Sequence, residues 1–402
     1  ADLQHTSLPA TMAVPSFNLA PDLNVSKLCL GTMTFGEQSS LNQSFRLLDE
    51  AFDAGINLFD SAEMYPVPHR AETQGRSEEY LGRWIRERKI SRNKLVLSTK
   101  VAGPSGQMTW IRGGPMCLDA KNITSAIDNS LLRLQTDYID LYQIHWPDRY
   151  VPMFGETDYD PTRQFSSVPI EEQVSALGKA VSAGKIRYIG ISNETAYGLM
   201  KFLQVARDTP SYPKIVSVQN SYNLLCRSFD SGLAECCHHE GIFLLAYSPL
   251  AMGLLSGKYS SPCGGPPDSR MNLFKGRYSE GESRYNLSND LIKASIKVYA
   301  MRSCGKTSGY SLGACRLKNA SQLLPGGWDW QEYIGIAKNY SLPPVALAIA
   351  FVLKHPLVAS AIFGATRSWQ LREVIKACEV KLTPEITLEI NEVHARHPNP
   401  CP

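Results

Sequence analysis

The chain has 402 residues, 43% hydrophobic and 20% charged, with ten cysteines and a formal net charge of +3. That is the profile of an ordinary globular protein with ample material for a buried core. Lys and Arg are spread evenly rather than clustered, which leaves no electrostatic stripe for nucleic-acid backbones or anionic lipid, and cysteines without regular spacing favour reduced thiols over a disulfide framework.

Read from the start, Ala1 to Thr11 carry neither a basic opening nor an apolar run of about 7 to 15 residues, so no secretory signal is expected. A cytoplasmic location follows, or a plastid if a targeting segment precedes Ala1. Residues 1–20 read as an N-terminal extension and 21–400 as one domain. Within it, apolar β-branched runs of strand length recur at Leu28–Phe35, Ile56–Ala62, Leu95–Val101, Ile139–His145, Ile186–Ser192, Ile215–Asn220, Phe243–Ser248 and Ala359–Gly364. Amphipathic helical stretches separate them: Leu41–Ala54, Ser77–Arg88, Asp119–Leu134, Glu171–Ser182, Ala196–Arg207 and Asp230–Glu240. Gly55, Gly184 and Gly241 stand where helices should stop in a left-handed cap. Eight strands with short returns point to an α/β fold closed as a (β/α)8 TIM barrel, with long loops over its C-terminal face. No GxGxxG follows the first strand, which counts against a Rossmann sheet.

Two long segments interrupt the rhythm, Asp148–Pro169 and Ala251–Arg284, each suited to a loop over the barrel mouth. A third, Met301–Gln331, has no periodicity and reads as an insertion, of the kind a retained intron would add, between the helical halves Leu291–Ala300 and Glu332–Tyr340. The apolar run Val345–Leu353 falls well short of the about 20 residues of a membrane span and reads as a buried helix. Cys236-Cys237-His238-His239 fits helix packing better than a metal site, because adjacent helical residues point in different directions. No metal, nucleic-acid partner or membrane is expected.

In such barrels the reactive groups gather where strands end at the C-terminal edge. The second strand runs into Phe59-Asp60-Ser61-Ala62-Glu63-Met64-Tyr65, the third into Leu97-Ser98-Thr99-Lys100, and the fourth into Gln143-Ile144-His145-Trp146-Pro147-Asp148. Singly, Asp60 reads as a turn cap, Tyr65 as a rim aromatic, Lys100 as a solvated strand end and His145 as a core imidazole. Together they form an acid–base set. A phenol with an ordinary pKa of about 10 donates poorly near neutrality unless a neighbouring cation favours its phenolate. Lys100 can be that cation, Asp60 can hold the ammonium, and His145 can orient a substrate oxygen.

These residues resemble the aldo-keto reductase superfamily, whose tetrad is an Asp, a Tyr five residues later, a Lys and a His. The likeness covers essentially the whole chain outside the tail and Met301–Gln331. It leans to the Tas-like branch through Leu30-Gly31-Thr32-Met33-Thr34-Phe35-Gly36-Glu37, through Tyr65-Pro66 with Glu72-Thr73-Gln74-Gly75, and through His145-Trp146-Pro147-Asp148-Arg149-Tyr150. The resemblance implies NADPH-dependent reduction of a small carbonyl compound, with Tyr65 giving the proton and Phe35, Trp146 and the 148–169 loop shaping the pocket. It implies that NADPH lies across the mouth near Gly31, Thr32, Met33 and Asp60. Ser192, Asn193 and Gln219 match positions that hold the carboxamide, and Tyr247 the ring that stacks on the nicotinamide. Ser248, Pro249, Leu250, Gly253, Leu255, Ser256, Gly257 and Lys258 match the strap over the pyrophosphate. Arg270 matches a basic residue near the adenosine phosphate. Gly364, Thr366, Arg367, Gln370 and Glu373 resemble the adenosine clamp, where Val374 replaces the family's usual Asn. Barrels of this kind also serve as potassium-channel β-subunits, so a cofactor-binding redox sensor is the alternative expectation. Physiological substrate and oligomeric state have no signature here.

Overall fold

A computed structural model describes residues 13–114, 117–260, 264–274, 284–285 and 329–401. The Leu291–Ala300 helix and nearly all of the expected insertion lie outside the described residues. The first elements among the described residues form an antiparallel hairpin, β1 (Ser16–Ala20) and β2 (Leu23–Ser26). Its Leu19, Leu23 and Val25 are buried with Cys29, Leu58, Val96, Leu141, Leu245 and Ala359, so the hairpin plugs one end of the sheet that follows. It spans position 20, where the sequence suggested the extension meets the domain.

Eight parallel strands then close a barrel: β3 (Leu28–Gly31), β4 (Leu58–Asp60), β5 (Val96–Val101), β6 (Ile139–Ile144), β7 (Ile186–Ser192), β8 (Ile215–Ser221), β9 (Phe243–Tyr247) and β10 (Val358–Phe363), with β10 pairing back onto β3. β4, β5, β6 and β10 are buried at every position, as expected for a parallel sheet covered on both faces. The covering layer is α1 (Leu41–Asp53), α2 (Arg76–Glu87), α3 (Ala120–Leu134), α4 (Ile170–Ser182), α5 (Ala196–Asp208), α6 (Leu233–Glu240), the short α7 (Arg270–Phe274), α8 (Asp329–Asn339), α9 (Pro344–Lys354), α10 (Ser368–Ala377) and α11 (Pro384–Arg396). Among the described residues no single helix is long and apolar enough to cross a membrane.

Register decides which side chains share a layer inside the barrel. Gly31 lies beside Asp60, Asp60 beside Ser98, Lys100 beside Gln143, and Ser192 beside Gln219. A one-residue slip would turn every one of these groups to the opposite face. The first strand ends at Gly31 rather than Phe35, because Thr32 bends away with both its N–H and its hydroxyl donating to the carbonyl of Asp60, at 2.9 and 3.1 Å.

Candidate functional site

Asp60 closes β4, and its carboxylate is saturated by donors from three other strands. Oδ2 accepts from Lys100 Nζ at 2.5 Å. Oδ1 accepts from Ser98 Oγ at 2.8 Å, Gln219 Nε2 at 3.0 Å and Gln143 Nε2 at 3.2 Å. Lys100 Nζ also donates to the carbonyl of Ser61 at 2.6 Å. The side chains of Lys100 and Asp60 are 0% and 4% exposed, so this ion pair is essentially dry.

Past Asp60, the segment 61–64 folds back over the end of β5. Ser61 and Glu63 donate their N–H groups to the carbonyls of Ser98 and Lys100, and Tyr65 N donates to Ala62 O. Tyr65 thereby stands above the ion pair, its ring centroid 5.2 Å from Lys100 Nζ. The imidazole of His145, next after β6, meets that ring edge-on at 5.6 Å. The four residues expected to converge do converge. Burial, with the Lys100 ammonium second and His69 third, holds the His145 imidazole well below its ordinary 6.5, so it is neutral at physiological pH. Among the described residues its buried Nδ1 has no hydrogen-bond partner, and neither has Nε2 of His69, whose imidazole burial pushes down to about 4.

The rim around Tyr65 is apolar. Ala62, Met64, Ala102, Met108, Ile111 and Trp146 form one buried cluster against which Tyr65, Trp110 and Met153 pack. Trp146 Nε1 donates to Pro104 O at 2.9 Å, and its indole closes so tightly on Gly103 that a Cβ there would approach to 2.6 Å. Phe35, expected beside Trp146, is instead fully buried in the main core.

Three supports of this rim have no signature in the sequence. Arg112 pairs with Glu63 through Nη1, and both are nearly inaccessible, at 4% and 1% exposed. Arg112 also donates from Nε to Asn122 Oδ1 at 2.9 Å and from Nη2 to Ala102 O at 3.3 Å. Asp148 clamps two loops by accepting from Leu118 N at 2.6 Å and Val168 N at 2.9 Å. Ser77, at the start of α2, links the turns after β3 and β4 through Thr32 Oγ1 at 2.6 Å and Ser61 Oγ at 3.1 Å.

The residues matched to a dinucleotide lie on the same edge. Asn193 Nδ2 donates to His145 O at 2.8 Å while its Oδ1 accepts from Tyr247 OH at 2.7 Å, and Ser192 Oγ donates to Gln219 O at 2.7 Å. The strap from Ser248 to Lys258 turns sharply, with positive φ at Ser248, Ala251, Met252, Gly253 and Gly257. Non-glycine residues held there are strained, and such strain collects at ligand sites. Lys258 and Arg270 face one another closely enough that burial first, then the Arg270 charge, lower the Lys258 pKa. The Arg270 guanidinium in turn lies 4.0 Å from a Cβ built on Gly364. Gln370 Oε1 caps the turn before α10 by accepting from Thr366 N and Arg367 N, at 2.9 and 3.2 Å. Glu373 is half-buried, which raises its pKa. Val374 packs into the main core, 2% exposed.

Comparison with known proteins agrees with this architecture. The sequence model for the Aldo/keto reductase family matches residues 27–395. Protein tas of Escherichia coli is 41% identical over 380 residues, 94% of this chain and 97% of that protein. L-glyceraldehyde 3-phosphate reductase of Escherichia coli is 30% identical, covering 88% and 84% of the two chains. A probable voltage-gated potassium channel subunit beta of Oryza sativa is 31% identical, covering 92% and 93%.

Breaking one half of a dry ion pair strands the other charge. Arg112→Met should therefore lower stability to urea by about 3–5 kcal/mol, more than the loss of one packed side chain on the surface. An unchanged unfolding midpoint would show that the Glu63–Arg112 pair does not hold the rim.

Proposed function

On the premise that this chain belongs to the aldo/keto reductase family, we propose that it reduces an aldehyde or ketone to the alcohol, with NADPH as reductant and Tyr65 as proton donor. The observation that carries the reading is the Lys100 ammonium, fixed between Asp60 Oδ2 and Ser61 O beneath the Tyr65 ring. A bound reduced nicotinamide supplies the hydride that the carbonyl carbon accepts.

The chain's own groups handle the oxygen. As electron density moves onto the carbonyl oxygen, the Tyr65 hydroxyl passes its proton there, and the buried ammonium stabilises the phenolate left behind. Asp60 keeps that ammonium in place and is itself held still by Ser98, Gln143 and Gln219. His145, neutral because it is buried, donates a hydrogen bond to the same oxygen without competing for the proton. The apolar rim of Trp146, Met64 and Met108 excludes water, which strengthens each of these interactions.

Support for a dinucleotide comes from donors and acceptors of Ser192, Asn193 and Gln219 gathered beside His145, and from the strained strap at 248–257. The convergence of Lys258 and Arg270 near Gly364, with Arg367 opening α10, suits a ligand with several phosphates and favours NADPH over NADH. The Oryza relative's name offers a second reading, a subunit of a channel; the complete set of proton-transfer groups favours turnover. The name of the glyceraldehyde-phosphate relative suggests a small, oxygenated aldehyde.

Steady-state NADPH oxidation over a panel of aldehydes and ketones tests the activity. Tyr65→Phe should cut kcat by about 10²–10⁴-fold with dinucleotide affinity little changed, and near-normal turnover would refute the proton-donor role. Arg270→Met should weaken NADPH binding about tenfold or more while leaving NADH binding nearly unaltered. Equal losses for the two nucleotides would remove the argument for the 2′-phosphate.

A further inference from the structure

Deeply placed cations in this chain are generally paired with a carboxylate. Arg92 pairs with Asp140, Arg112 with Glu63, Arg133 with Glu78 and Arg149 with Glu194. Arg284 is not. Among the described residues, the groups facing its guanidinium are the phenols of Tyr247 and Tyr285 and the thiols of Cys226 and Cys401. Its guanidinium donates a hydrogen bond to the Tyr247 phenol, and Nη1 lies 4.0 Å from Cys226 Sγ. None of the four is a carboxylate, so among the described residues no carboxylate balances the guanidinium. Withdrawing a cation from water without a counter-charge costs several kcal/mol. An anion that arrives with a ligand would offset that cost.

The surroundings aim this cation at the mouth. Tyr247, which it faces, donates to Asn193, and Asn193 donates to the carbonyl of His145. The loop after β6 runs directly against it, since a Cβ on Gly155 would meet Arg284 Cβ at 3.4 Å. Asn223 Nδ2 donates both to Tyr285 OH at 2.9 Å and to Ser248 O at 3.0 Å, which fixes the backbone next to Arg284 relative to the end of β9. The cations matched to the dinucleotide's phosphates gather around Asp268: Lys258 faces Arg270 and Asp268, and Arg367 pairs with Asp268.

We propose that Arg284 binds an anionic group, a carboxylate or a phosphate, at the far end of the carbonyl substrate, so that this protein prefers negatively charged aldehydes or ketones. The inference rests on the reductase reading and names its substrate class. A guanidinium presents a planar fork of N–H donors that meets either oxyanion in two parallel hydrogen bonds. With the carbonyl at Tyr65 and the anion at Arg284, the substrate would be held at both ends and its reacting carbon oriented.

The test compares kcat/KM for succinate semialdehyde against butanal, and for glyceraldehyde 3-phosphate against glyceraldehyde, at saturating NADPH. The proteins are the wild type, Arg284→Met and Arg284→Lys. The wild type should prefer at least one charged member about tenfold or more, and Arg284→Met should erase that preference with a loss of about 10–100-fold, mainly in KM. Neutral aldehydes should change little, and Arg284→Lys should restore part of the loss. A loss confined to one charged substrate identifies the anion as carboxylate or phosphate. Equal losses on charged and neutral members would overturn the proposal, as would a wild type without preference or a higher KM for NADPH with every carbonyl. If the wild type reduces no carbonyl, the reductase reading fails, and calorimetric titration of the protein–NADP⁺ complex with succinate and with inorganic phosphate still reads the arginine. Binding weakened about tenfold or more in Arg284→Met supports the anion site; equal or absent binding in the two proteins overturns it.

Discussion

The structure depends on one dry ion pair, Lys100 with Asp60, at the centre of the barrel's C-terminal edge. Desolvating two charges is costly, and their attraction repays it only when every remaining donor and acceptor is used. Here Asp60 takes donors from β5, β6 and β8 besides the ammonium, and the ammonium gives a second hydrogen bond to Ser61. The network therefore works only if four strands hold their mutual register. Loss of any one member leaves a buried polar group unsatisfied, so the pair acts as a check on the sheet as well as a platform for Tyr65.

Above that rigid floor the mouth is built from turns, and each is tied down by a polar group drawn from elsewhere in the chain. Glu63 and Arg112 secure the segments after β4 and β5. Asp148 secures those before α3 and α4. The strained strap after β9 packs Leu254, Leu255 and Tyr259 into a second core with Tyr333, Ile334 and Ile390. On the proposed reading, groups on strand ends keep a fixed geometry while selectivity falls to the rim, where Arg284 and exposed loop aromatics such as Tyr159 and Phe165 stand.

Much of this was legible in the sequence, for identifiable reasons. Eight apolar runs correspond to the eight barrel strands because a sheet covered on both faces demands continuous apolar residues, and helix ends were marked by Gly55, Gly184 and Gly241, all with positive φ. Asp60, Tyr65, Lys100 and His145 stood out because they fall at strand ends in unusual company. The hairpin at 16–26 is not legible, because two strands of five and four residues leave too short a pattern to separate from an extension. Gln143 and Ser98 carry no mark of binding Asp60, since an amide or hydroxyl inside an apolar strand announces no partner. The Glu63–Arg112 pair joins residues 49 positions apart through a loop without periodicity. Phe35 reads as a pocket residue by resemblance, yet its ring turns into the main core once the chain bends at Thr32.

The central claim is that the buried ammonium of Lys100 stabilises charge on Tyr65 during proton transfer. Single-turnover stopped-flow of NADPH oxidation by Lys100→Met, with dinucleotide affinity and fold checked in parallel, tests it most directly. The account predicts a chemical step slowed by about 10²-fold or more with NADPH still bound; a step as fast as in the unsubstituted protein would contradict it.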